Sequence, residues 1–166
     1  MADLFKLTSD AVISPCGNYR YLLRRQLQPK GETICTFIML NPSTADATAN
    51  DATIRKCMKF AKAWGWDWLY VVNLFAWRDT SPDAMKLVDF PVGPLNDARI
   101  RNVIGDADMV VCAWGKHGKH RGRDNVVRQM LADTHLHFLV LNKDGTPKHP
   151  LYCRDDTQPT LWEYAR

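Results

Sequence analysis

Four short, nearly continuous apolar runs constrain this fold more than any other feature: TICTFIML (33–40), LYVVNLF (69–75), DMVVCAW (108–114) and LHFLVLN (136–142). Each is too short to cross a membrane and too evenly apolar for a strand with one wet face, which would alternate. Strands buried on both faces read this way, and they occur in parallel sheets covered by helices on either side. The intervening sequence carries matching helical signals. In ATIRKCMKFAKAW, Ile54, Met58 and Ala61 recur at helical spacing, and Asn50 or Asp51 can cap a helix over 51–64. Further helices are expected within 81–104, best at LNDARIRNVI, and over 121–132, where Val126, Val127, Met130 and Leu131 share a face. Strands interleaved with helices predict an α/β fold with crossover connections.

Ahead of these runs, AVIS (11–14) and YRYLLRRQL (19–27) flank Pro15-Cys16-Gly17-Asn18, the pattern of a β-hairpin. The 166 residues suit one domain, and no repeat or linker divides them. The expectation is a single domain over 1–166, with a hairpin extension over 1–30 and a core over 33–152.

A net charge of +4 permits an anionic partner without requiring one, and no dense basic tail appears. No run approaches the roughly 18 apolar residues of a membrane helix, and the first residues lack a secretory pattern. A cytoplasmic monomer with no membrane partner is expected. Five cysteines, odd in number and widely spaced, read as free thiols. With no C-x-x-C pair, and no third ligand for His135 and His137, neither a metal nor another cofactor is expected.

Ligands of open parallel sheets gather beyond the carboxyl ends of the strands. Four motifs fall there: Asn41-Pro42-Ser43-Thr44, Asn73, Trp114-Gly115-Lys116-His117 and His149-Pro150-Leu151-Tyr152. Singly they are ordinary, since Asn-Pro starts turns and a His beside Pro can cap one. Asn73 is more pointed, because an amide inside LYVVNLF needs a partner or is costly to bury.

As an ordered set, from Asn41 through His149, the four motifs resemble those of the uracil-DNA glycosylase superfamily. The whole chain is also similar to a family of short, uncharacterised bacterial and phage proteins. The resemblance implies a three-layer α/β/α sandwich with a mainly parallel four-stranded central sheet, to which the N-terminal β-hairpin is added. It implies that Asn41 positions the attacking water, Asn73 reads the Watson–Crick edge of a flipped pyrimidine, and His149 donates to its O2. Lys116, His117, Lys119 and Arg121, with Arg123 at the start of the following helix, would meet DNA phosphates. Leu151 or Tyr152 would fill the gap left in the stack.

The departures carry information too. There is no Asp at 41, so cleavage should be slower, or assisted by Asp46 or Asp51 from the same loop. Ser43 stands where the uracil enzymes place a Tyr against C5 of the base, leaving room for a C5 substituent. Phe75, Trp77 or Tyr152 would supply the missing stacking ring. The expected activity is therefore that of a DNA glycosylase acting on a pyrimidine, C5-modified such as hydroxymethylated or glucosylated cytosine, in defence against phages with modified genomes or in repair. Two alternatives stand beside it: a non-catalytic reader of modified or damaged DNA, and a nucleoside or nucleotide hydrolase. The latter is weakened by the lack of a Gly-rich phosphate cradle.

Overall fold

The computed structural model describes residues 6–163. Chain order runs β1 (Ser9–Ile13), β2 (Arg20–Gln26), β3 (Ile34–Met39), α1 (Ala52–Ala63), β4 (Trp68–Asn73), α2 (Pro82–Lys86) and α3 (Asn96–Gly105). It continues through β5 (Met109–Cys112), a 3-10 segment (Lys116–Gly122), α4 (Arg123–Met130), β6 (His137–Phe138), a 3-10 turn (Pro150–Tyr152) and β7 (Thr160–Leu161).

All seven strands join one sheet in the order β1-β2-β4-β3-β5-β6-β7. The four apolar runs form its middle, where β4, β3, β5 and β6 are mutually parallel. The α/β expectation holds, but the sheet is mixed and wider than four strands. The hairpin is no separate appendage: β2 pairs antiparallel with β4 from Leu23–Val71 to Gln26–Trp68. It thereby satisfies backbone groups that β4 would otherwise leave open at an edge. At the far side β7 closes on β6 in the same way.

Period-two alternation sends neighbouring residues to opposite cores. Phe37, Val71 and Val111 pack under α1 with its Ile54, Cys57 and Phe60. Ile38, Val72 and Cys112 pack on the other face with Ile100 and Val103 of α3 and Val127 of α4. Helix α1 starts as its sequence requires, with the Asp51 carboxylate accepting from the Ile54 N–H at 2.9 Å. All five cysteines are free, and burial pushes the Cys35 and Cys112 thiols up, out of reactive range.

The fourth apolar run departs most from expectation. Only His137 and Phe138 of it pair with the sheet. Beyond them Val140 and Asn142 exchange backbone bonds with Lys148 and Thr146, so the run folds back on its own continuation. The segment 121–132 likewise divides, because Arg121 and Gly122 both take left-handed φ and separate the 3-10 turns from α4. No helix among the described residues is long and apolar enough to cross a membrane.

Candidate functional site

A cleft of about 1020 Å³ opens at the carboxyl ends of the parallel strands. It collects the ends of β3 and β4, the turn after β5 and the segment around His149. Asn41, Ser43, Asp51, Asn73, Lys116, His117, His149, Leu151 and Tyr152 all line it, Asn73 from the end of β4 and the others from three connecting segments.

Asn73 ends β4 and is only 1% exposed. Neither its Nδ2 nor its Oδ1 has a partner among the described residues. Leaving such groups unpaired costs about 1–3 kcal/mol each, and Asn73 also lines the cleft. Its backbone is fixed from behind. The Nδ2 of Asn96 donates to the carbonyls of Asn73 and Leu74 at 2.9 and 3.1 Å, and Arg123 Nε donates to Leu74 at 2.8 Å.

Asn41 follows β3. Its Nδ2 donates to the carbonyl oxygens of Asp79 (2.9 Å) and Pro42 (3.2 Å), while the Asp79 N–H donates back to Pro42. Both side-chain partners are carbonyls, which assigns the amide nitrogen to them and leaves Oδ1 as the free acceptor.

His149 precedes the 3-10 turn. Its Nδ1 accepts the Leu151 N–H at 3.2 Å, placing the ring proton of the neutral form on Nε2. Burial holds its pKa below the ordinary histidine value, with the Asp51 carboxylate pulling the other way. Burial thus favours the neutral imidazole, with its proton on Nε2. Leu151 and Tyr152 stand at the mouth, 45% and 78% exposed, and the Tyr152 ring lies 5.9 Å from that of His149.

Arginines of the hairpin pin the loop that carries Ser43 and Asp51. Arg20 Nη1 donates to Ala45 O at 2.8 Å, and Arg25 donates to the Asn50 side chain and to the carbonyls of Asp46 and Ala49. Trp114, which also lines the cleft, is 2% exposed, and Gly115 turns the chain at φ 74° and ψ −174°, a region open only to glycine.

Several expected residues lie elsewhere. The Asp46 carboxylate turns onto its own loop, accepting from the N–H groups of Thr48 and Ala49, which lowers its pKa. Phe75 is fully buried in the core, its ring 5.6 Å from that of His120. Lys119 pairs with Asp144 beside a second, smaller hollow. The Arg121 guanidinium is committed to the carbonyls of Val88 and Asp89. Arg123 is buried and paired with Asp97 at 2.6 Å, so it supports the fold instead of facing solvent. The cations left at the cleft are Lys116, Lys143, Lys148 and Arg20, none of them ion-paired among the described residues. Arg20 was not foreseen; its signal was an arginine between Tyr19 and Tyr21 at the start of a strand buried on both faces. No group of three metal-ligating side chains occurs among the described residues.

A family model described as a protein of unknown function, DUF1643, matches residues 20–151. The chain belongs to the DUF1643 family. No curated protein and no solved structure matches it. The DUF1643 match begins at Arg20 and ends at Leu151, so it encloses every cleft residue named above except Tyr152.

Proposed function

We propose that this chain is a DNA glycosylase that takes a flipped pyrimidine into the cleft and hydrolyses its N-glycosidic bond. The unpartnered Asn73 amide carries the proposal. A buried donor and acceptor side by side match the N3 and C4 positions of a pyrimidine edge, and base-excising enzymes read a flipped base in this manner. The resemblance to uracil-DNA glycosylases gives the same role to Asn73.

Breaking the bond builds negative charge on the departing base and positive charge on the sugar. Neutral His149, with its proton on Nε2, donates to the base oxygen as that charge develops. Asn41 Oδ1 orients the water that attacks the sugar, while the base leaves with the bonding electron pair. Asp51 also faces the cleft and can take up the water's proton; Asp46 does not face it. Ser43 leaves space beside C5, which favours a substituted base and a setting in defence against phages with modified DNA. Lys116 and His117 meet the flanking phosphates, and Leu151 or Tyr152 fills the vacated stack.

Incubation with oligonucleotides carrying uracil, thymine, or hydroxymethylated or glucosylated cytosine, followed by alkali, should break strands at one of these bases. The breaks should vanish with Asn41→Ala and His149→Ala; no cleavage on any substrate overturns the reading. A second reading, a DNA reader that binds a flipped base without cutting, draws support from Asp51. Its Oδ1 caps α1 and its Oδ2 sits 3.4 Å from the Ala45 N–H, so both oxygens already serve the backbone. Tight binding to modified DNA with no free base detected by mass spectrometry would favour that reading.

A further inference from the structure

Arg20 is 2% exposed, yet it lines the cleft. One bond holds it, from Nη1 to the Ala45 carbonyl at 2.8 Å. That uses one of the five N–H donors of a guanidinium. Its Nε is buried with no partner, Nη2 has no acceptor in the described protein, and no carboxylate is within ion-pair distance. Asp51 and Asp46 attract it only at longer range, and burial pushes its pKa down to about 10, so it remains charged at neutral pH.

The idle donors are not scattered. Nε and Nη2 share one edge of the guanidinium, the side-on fork that meets the two oxygens of a carboxylate or phosphate. The carboxylate of Asp51 shares this cleft, but its two oxygens accept the N–H groups of Ile54 and Ala45 and it forms no ion pair with Arg20 among the described residues.

We propose that the Nε–Nη2 edge of Arg20 is an oxyanion subsite, and that the ligand of this cleft carries a carboxylate or phosphate group accepting both N–H bonds. This rests on the reading that the cleft takes a pyrimidine nucleotide. The oxyanion has two sources, a carboxyl substituent on the base or a phosphate of the nucleotide. A neutral hydroxyl satisfies neither the charge nor both donors.

Calorimetric binding of the full chain to deoxyuridine, 5-hydroxymethyl-deoxyuridine, 5-carboxy-deoxyuridine and dUMP decides the matter. The carboxylated nucleoside or dUMP should bind about tenfold or more tightly than deoxyuridine, the scale of charge-assisted hydrogen bonding. Which of the two gains identifies the source, and the hydroxymethyl compound should gain little. Arg20→Lys keeps the charge without the fork and should lose the preference. Equal binding of all four ligands, including no binding at all, overturns the subsite, as does a preference that survives in Arg20→Lys. The comparison within the unmodified protein needs no variant, so a misfolded Arg20→Lys chain does not shield the proposal. Base release from oligonucleotides, measured in parallel, separates the two readings. Preference without release removes the glycosylase and keeps the subsite, whereas release without preference does the reverse.

Discussion

The Leu151 backbone N–H donates to Nδ1 of His149 across 3.2 Å. Protonating that nitrogen breaks the bond, and burial already holds the imidazole pKa below its ordinary value. A histidine whose pKa is lower folded than unfolded leaves stability intact above about pH 6.5, the unfolded value. That stability is lost as pH falls from there through the folded value. Base release should follow the same direction, staying level from pH 8 to about 6.5 and falling below it. His149→Gln should cut the rate on the order of 100- to 1000-fold and remove the acid limb. An acid limb centred above pH 6.5 would contradict the neutral-donor role.

Asn73→Leu exchanges an unpartnered buried amide for an apolar side chain of similar size. Removing the unsatisfied groups should raise stability by about 1–3 kcal/mol while abolishing base release. Urea denaturation measures the first effect and the alkali assay the second. A midpoint that falls would mean the amide is already satisfied in the free protein.

Ser43→Tyr places a ring where a C5 substituent would lie. Excision of a glucosylated or hydroxymethylated base should drop at least tenfold relative to uracil, by the roughly 1.4 kcal/mol per decade that links contact energy to selectivity. Undiminished activity on the bulky base would mean that Ser43 does not border C5.

Gly118 lies against Trp114. A Cβ there would come within 2.2 Å of the indole Cδ1 and 2.7 Å of Nε1. Gly118→Ala should therefore displace a ring that lines the cleft, costing about 1–3 kcal/mol as overpacking does. Tryptophan fluorescence and thermal melting would register both changes.

Arg123 offers a contrast between surface and structural roles. Its donations to Leu74 O and Asp97 predict that Arg123→Met costs about 1.5–3 kcal/mol and leaves the salt dependence of DNA binding unchanged. A phosphate-contacting Arg123 would instead reduce that salt slope by about one.

The periodicity of 33–40, 69–75 and 108–114 was enough to place the parallel strands, because double-faced burial leaves a continuous apolar signature. Asn41 and Asn73 are readable for a related reason, since one stands just beyond a strand and the other ends one, and His149 is readable because it belongs to the segment after the fourth run. What escaped the sequence were choices between partners. Arg121 and Arg123 look like free cations, yet carbonyls and a carboxylate distant in sequence claim them. Phe75 continues an apolar run, and only the packing of α3 and α4 reveals that its ring turns inward. Two-residue strands such as β7 carry no pattern long enough to register.

The antiparallel pairing of β2 with β4 also limits how portable this cleft is. The hairpin guards an edge, but it also delivers Arg20 to the inner wall and, through Arg25, tethers the loop bearing Asp51. Grafting the four parallel strands and their loops onto another scaffold would transplant Asn41, Asn73 and His149 while leaving that loop untied. The N-terminal strands are thus as much a wall of the binding chamber as a border of the sheet. The family match opens at Arg20, the hairpin residue that lines the chamber.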